Sequence, residues 1–254
     1  MNALLAIALN TFREAIRDRV LYLILSFALV LIAISHFVSR LTVGSEVKIV
    51  KDLGLSAISV FGLLTAVFVG VSLVFKEIER RTAYTLLAQP VRRWQFVCGK
   101  YIGLSLVLGA AVVLTGTAVS VAVALQGESP VGLLPAIALG FVELELVAAF
   151  AVLLSTFTNP ILAAVGTVAT YVAGHLSWSF ELLEKRTTGE AGKALCRGLE
   201  AVLPNLDRLN VKASAVHGVP LPDGYFVAAV AYGLFYAVAV VILACVVFER
   251  REFL

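Results

Sequence analysis

Charge is what this sequence has least of. Only 15% of its 254 residues are Asp, Glu, Lys or Arg, where a soluble domain carries about a quarter. That scarcity excludes an ordinary water-exposed surface over most of the chain. A net charge of +3 gives no ground for a nucleic-acid partner. Cysteine is scarce too. Cys98, Cys196 and Cys245 are far apart and odd in number, and no C-x-x-C occurs. Neither a disulfide framework nor a zinc site is indicated. His36, His175 and His217 have no second ligand at usable spacing, so no metal is assigned. No G-x-x-x-x-G-K-[ST] occurs. At Cys98-Gly99-Lys100-Tyr101 a tyrosine stands where Ser or Thr must reach magnesium, which excludes a P-loop. H-E-x-x-H and G-x-S-x-G are absent as well. Any work done against a gradient takes its energy from a partner or an ion.

What the chain has is apolar length. It is 60% hydrophobic, with a mean hydropathy of +0.97, and lipid is the solvent that satisfies such an excess. A bilayer crossing needs about 20 apolar residues. The uncharged runs 20–38, 53–75, 101–125 and 225–248 each suffice for one crossing. The region 131–180 is too long for one. Its natural break is Thr158-Asn159-Pro160, since the residue before proline is pushed out of the α region. Two further spans follow, at about 131–156 and 160–180, for a total of six. The first run has a longer core than a signal peptide, and no small-x-small site follows it, so it is expected to remain.

Six spans place both termini on one side. Eleven basic residues then share that side and nine lie opposite. Arg19, Lys76, Lys100 and Arg250 sit directly at span ends, while the loop around Glu128 has no basic residue. The bias puts both termini and the segment 76–100 in the cytoplasm.

Outside the spans, three segments have patterns of their own. Residues 1–19 read as an amphipathic helix lying in the membrane surface. Leu5, Leu9, Phe12 and Ile16 form its apolar stripe, opposite Arg13, Glu14, Arg17 and Asp18. The loop 181–224 is too short for an independent domain. It carries helical spacing over 184–203 (Leu195, Leu199, Val202) and is expected to pack on the helix ends. The segment 76–100 holds a charged stretch that can form a short helix over 77–87. Gln89 and Pro90 end it, and Pro90 then opens a second helix through Trp94 into the next span. An ordinary topogenic loop needs a few cations, whereas this mixture of acids, bases, helical patterning and a placed proline reads as a docking element.

Two acids lie in the middle of the fourth span. A charge there costs roughly 2.5 kcal/mol or more unless paired or wet. Glu143 and Glu145 are two positions apart, which on a helix separates their directions by about 200°. One can face a cavity, the other a neighbouring helix. The readings left open are substrate contact, a polar gate, or an interhelical hydrogen bond from a protonated acid. Tyr171 and His175 are candidate partners. In the third span Gly99, Gly103, Ser105, Gly109 and Gly116 allow close helix approach.

The string Glu79-Arg80-Arg81-Thr82, then Leu86-Leu87-Ala88-Gln89-Pro90-Val91-Arg92-Arg93-Trp94 and Gly99-Lys100, resembles the signature of ABC-2 type transporter permeases. That pattern reads roughly Glu-x-Gly-Thr, a Leu pair, Pro-Val with Ser-Arg, and Gly-Lys. The resemblance extends over the chain through the basic N-terminus, Asn159-Pro160, Leu203-Pro204-Asn205 and Phe248-Glu249-Arg250-Arg251-Glu252-Phe253. It is nearest the branch that includes the permease for nitrous-oxide reductase maturation. Arg81 departs from the usual glycine. Arg92 replaces the capping serine, which removes a capping box.

The resemblance implies an all-α, type V exporter-like membrane protein. It would have six transmembrane helices, an N-terminal interfacial helix, and a cytoplasmic coupling helix between spans 2 and 3. It implies a permease homodimer in the cytoplasmic (inner) membrane, docked on two copies of a separate ABC ATPase subunit that holds ATP and Mg. This chain would bind no cofactor itself. Glu77, Glu79, Arg80, Arg81, Thr82, Tyr84 and Pro90 would form the coupling contact, with Glu143, Glu145 and His175 as intramembrane polar residues. An ion-coupled secondary transporter using Glu143 or Glu145 and a membrane scaffold are the competing classes.

Overall fold

A computed structural model describes residues 3–40, 46–79, 92–177, 198 and 203–250, with the backbone alone over 73–79. Among these residues the ordered elements are helices, and no strand occurs. Helix α1 spans Ala3–Ile16 and α2 spans Arg19–Ser39. Between them Asp18 takes an extended conformation, and its Oδ1 accepts the Val20 N–H at 3.0 Å. That bond satisfies one of the amides a helix start leaves without a partner. Helix α3 spans Glu46–Glu79, α4 spans Arg93–Ala124, α5 spans Leu134–Phe157 and α6 spans Pro160–His175. A short α7, Lys212–His217, precedes α8, Tyr225–Arg250.

Among the described residues, five helical stretches are long and apolar enough to cross a membrane: Arg19–Ser39, Glu46–Ser72, Arg93–Ala124, Pro130–Phe157 and Tyr225–Arg250. The chain is a multi-pass membrane protein. The sixth apolar helix, α6, has only 16 residues, about 24 Å of rise. The apolar run predicts a longer helix there. However, the returning chain packs against the last turn of α6. A Cβ at Gly174 would lie 2.6 Å from Leu206 Cγ and 2.9 Å from the Pro204 carbonyl oxygen. The helical spacing expected over 184–203 falls almost wholly outside the described residues. Helix α3 also begins earlier than its apolar run, at Glu46, because hydropathy marks the lipid-facing part of a helix and not its first hydrogen bond.

Helix α5 lies at the centre. Apart from Glu143 and Glu145 it is almost wholly apolar, and most of its length is buried. Ala148, Ala149 and Ala151 are fully enclosed. Glycines on its neighbours bring the backbones close. Added Cβ atoms at Gly62 of α3 and Gly233 of α8 would run into Leu144 and Val142 of α5. Gly116 of α4 approaches Ile137 of α5. The break between α5 and α6 falls at Asn159, whose side chain accepts the Leu162 N–H at 2.8 Å, with Pro160 at the first helical position.

The N-terminal helix has a protein partner. It docks on α4 through Ala8, Thr11 and Ala15, which are buried, while Leu5 of the apolar stripe is 52% exposed. Gly99 and Gly103 make the approach, since their Cβ atoms would stand 2.8 Å from Ile7 Cβ and 2.5 Å from Thr11 Cβ. Small residues let two helices meet closely, while Leu9, Phe12 and Ile16 of the stripe are half-buried and Phe12 packs against the core. The start of α4 also differs from the reading of Arg92. The Gln95 side chain accepts the Arg92 backbone N–H at 3.0 Å. Half of the capping box is therefore present without the serine.

The chain ends of the bundle gather at what we term the terminal end: α1, the start of α4 and the end of α8. The opposite, loop end holds the 3₁₀ turns Pro130–Leu133 and Leu206–Leu209 together with α7. There Lys51 bridges to Glu128 at 2.6 Å, and Gln126 donates to Ser39 Oγ at 2.9 Å.

Candidate functional site

Glu143 and Glu145 lie in the first half of α5, with 1% and 4% of their surface exposed. Glu143 is nine positions from Leu134, about 14 Å along the helix axis. The two carboxylates diverge as their spacing requires. Glu143 faces α6, where its Oε1 lies 2.9 Å from His175 Nε2. The His175 ring meets Tyr171 edge-on, with ring centroids 4.6 Å apart. Tyr171 is one turn earlier on the same face of α6, and its hydroxyl faces the Glu143 carboxylate. Glu145 faces α4 instead. Tyr101 and Ser105 of that helix flank its carboxylate, and the Tyr101 hydroxyl donates to the Glu145 backbone carbonyl at 3.3 Å.

The pairing follows from the hairpin. Asn159 is the pivot between α5 and α6, and Glu143 and His175 each lie 16 positions from it. Two antiparallel helices leaving a tight turn bring equidistant residues level with each other. That symmetry was readable in the sequence.

Two contributions to the site were not expected. Lys212, half-buried on α7, is near enough to feel both Glu143 and Asp52. Burial pushes the Lys212 ammonium below the usual lysine range, while the two carboxylates pull it back. Nothing in the spacing signals this residue. The second is the return segment, whose irregular backbone packs beside α6. Leu206 and Leu209 are enclosed there. The Tyr232 hydroxyl accepts the Asn205 N–H, and the Tyr225 hydroxyl donates to the Arg208 carbonyl, each at 2.9 Å. Non-helical backbone at membrane depth is tolerated when protein satisfies its polar groups, as it does here.

Chemically, a buried imidazole–carboxylate pair can hold a proton between its members or hydrogen-bond a polar group that displaces one of them. Among the described residues no three His, Cys, Asp or Glu side chains converge as a metal set would. A cleft of about 280 Å³ opens separately at the loop end, lined by Lys51, Pro135, Ala136, Val211 and Ser214 among others. It shares no lining residue with the Glu143 cluster.

The structure thus brings Glu143 and His175 together and turns Glu145 away from them. Glu77 and Glu79 fall on the last turn of α3, where only the backbone is described. Arg80, Arg81, Thr82, Tyr84 and Pro90 lie outside the described residues. A comparison with curated proteins finds no match for this chain. A family model, that of the ABC-2 family transporter proteins, matches residues 5–253.

Proposed function

Since the chain belongs to the ABC-2 transporter family and is thereby the membrane component of an ABC transporter, we propose that it is an exporter permease driven by a separate ATPase. Two copies of this chain pair, and each docks on one ATPase subunit that binds ATP and Mg. The family match over nearly the whole chain carries this reading. Two geometric features support it. Helix α3 has 34 residues, about 51 Å of rise, against a hydrocarbon core of about 30 Å. Its last turns, with Glu77 and Glu79, therefore stand clear of the lipid and lead straight into 80–92. The same segment leads out again into α4. It is suited to act as a coupling segment over 76–100, with Glu77, Glu79, Arg80, Arg81, Thr82, Tyr84 and Pro90 at the contact.

In this reading the chain passes the membrane six times. Helix α6 starts at the terminal end and α8 starts at the loop end, so the chain traverses the bundle between them even though α6 is short. Both termini then share the cytoplasmic face of the inner membrane. The resemblance of its motifs assigns it to the branch that includes the permease for nitrous-oxide reductase maturation. The Glu143–His175 pair serves as a polar gate beside the return segment. Coupling requires that the ATPase states bind 76–100 differently.

Charge reversal tests the docking assignment. Glu79→Lys or Arg80→Glu should leave the permease inserted and lower substrate-stimulated ATP hydrolysis in the assembled complex. Full substrate-stimulated hydrolysis in both variants would falsify it. The buried Glu143–His175 pair favours one second reading, an ion-coupled transporter. That reading predicts substrate uptake by the purified chain alone, driven by a proton or sodium gradient.

A further inference from the structure

Cys98 and Cys245 are 147 positions apart in sequence, yet their Sγ atoms stand 3.6 Å from each other. Both are free and half-buried. Cys98 lies in the second turn of α4, and Cys245 lies five positions before the end of α8. The surrounding contacts hold these two helix ends in register. Phe96 stacks on Phe248 with ring centroids 5.6 Å apart, and the Arg93 guanidinium donates to the Glu249 carbonyl at 3.0 Å. Cys245 Sγ also faces the Trp94 carbonyl at 3.9 Å. A disulfide needs its sulfurs about 2.05 Å apart. The remaining approach of about 1.5 Å is within reach of side-chain rotation alone.

From this geometry we propose that Cys98 and Cys245 form an oxidisable dithiol, a modification site that clamps the start of α4 to the end of α8. The oxidant is hydrogen peroxide. One thiolate attacks a peroxide oxygen, the O–O bond breaks, and a sulfenic acid and hydroxide form. The hydroxide takes a proton and leaves as water. The second thiol, as its thiolate, attacks the sulfenic sulfur; the S–O bond breaks as the S–S bond forms, and the departing hydroxide takes up the proton that this thiol released and leaves as a second water. Each sulfur gives up one electron, and one peroxide becomes two waters. Because α4 is the helix that leaves the 76–100 segment, the clamp would hold that segment's exit against α8. This consequence rests on the coupling reading above; the cross-link does not.

The test uses the full-length transporter in native membranes. Hydrogen peroxide is added, free thiols are blocked with a light maleimide, and disulfides are then reduced and labelled with a heavy one. Cys98 and Cys245 should acquire the heavy label together, and unreduced digests should contain their peptides joined with the loss of two hydrogens. Dithiothreitol should restore the light pattern. Cys98→Ser should leave Cys245 as a dimedone-reactive sulfenic acid, and Cys245→Ser is the reciprocal variant if the first fails to insert. Light label on both thiols at doses that oxidise Cys196, or pairing of either with Cys196 instead, overturns the proposal. ATP-driven transport should fall with the cross-link and recover with dithiothreitol. An unchanged rate in cross-linked protein refutes the clamp on coupling, whereas an undocked ATPase shows as lost co-purification before any peroxide is added.

Discussion

The two ends of the bundle are held together by different means. At the loop end the contacts are polar and specific: Lys51 with Glu128, Gln126 with Ser39, Tyr232 with Asn205, and Glu143 with His175. At the terminal end helix lies on helix, joined by the Phe96–Phe248 stack and by Gly99 and Gly103 against α1. The difference follows from backbone chemistry. Helices satisfy their own amides and carbonyls, so the terminal end rests mostly on shape, with the Arg93–Glu249 hydrogen bond across it. The return segment over 203–211 has irregular backbone, and its amides and carbonyls must find partners. Rearranging the loop end means exchanging a few hydrogen bonds. Rearranging the terminal end means unpacking whole helices. Under the proposed function the loop end would serve as the gate and the terminal end as the lever.

The sharpest way to break this contrast is a single methyl group. At Gly103 an added Cβ meets Thr11 Cβ at 2.5 Å and the Ala8 carbonyl at 2.8 Å. At Gly174 it meets Leu206 and the Pro204 carbonyl. At Gly140, on α5, it meets nothing within 4 Å. Overpacking of this kind costs about 1–3 kcal/mol. Replacing a free helical glycine by alanine gains up to about 1 kcal/mol. Gly103→Ala and Gly174→Ala should therefore lower the melting temperature in detergent, and Gly140→Ala should raise it. Limited proteolysis should separate the first two. Gly174→Ala exposes the 203–209 segment, whereas Gly103→Ala exposes the N-terminal helix. Equal melting temperatures for Gly103→Ala and wild type would mean that α1 does not dock where it is placed.

Much of the helical frame was legible in the sequence, because apolar length is set by bilayer thickness. The runs 20–38 and 225–248 fall within α2 and α8, and Asn159-Pro160 caps α6 where the break was read. What hydropathy does not carry is the order of contacts. The stripe of Leu5, Leu9, Phe12 and Ile16 is apolar, yet Ala8, Thr11 and Ala15 make the seam, because close approach selects for small size. The short α6 was hidden for a similar reason. Its apolar sequence continues, but Gly174 is where another part of the chain needs room. For the polar site, burial cost singled out Glu143 and Glu145, and Tyr171 and His175 were named as candidate partners, but which acid takes His175 follows from the hairpin the structure shows. Lys212 was illegible because only the return of the chain brings it near.

The two acids allow a comparison within one helix. Glu143→Ala removes the partner of His175 and leaves its Nε2 without that contact, at a cost of about 1–3 kcal/mol. Glu145→Ala leaves the Tyr101 hydroxyl its bond to the backbone carbonyl, so its cost should be smaller. A double-mutant cycle with His175→Ala should give a coupling energy for Glu143 and none for Glu145. The Gln variants address function separately. Glu143→Gln keeps hydrogen-bonding capacity and loses the carboxylate, so transport should slow while assembly is retained. Unchanged transport in both Glu143→Gln and Glu145→Gln would remove the polar gate.

Lys212 gives the smallest effect and a definite sign. Burial is the larger influence and lowers its pKa, and Glu143 and Asp52 offset part of that. The unfolded chain therefore holds the Lys212 proton up to a higher pH than the folded one. Between the folded value and the ordinary lysine value of about 10.4, the unfolded state binds more protons, so stability rises with pH. Below that window the ammonium is charged in both states, and folding bears the full cost of burying it. Lys212→Met removes this cost. At neutral pH the variant should melt at or slightly above the wild-type temperature, and the difference should shrink as pH is raised towards that of free lysine. Melting curves in detergent between neutral and alkaline pH measure it. A lower melting temperature for Lys212→Met at neutral pH would show that attraction to Glu143 and Asp52 outweighs burial. Lys212 would then be a structural tie across the loop end, and that end would be harder to open than its exchangeable hydrogen bonds imply.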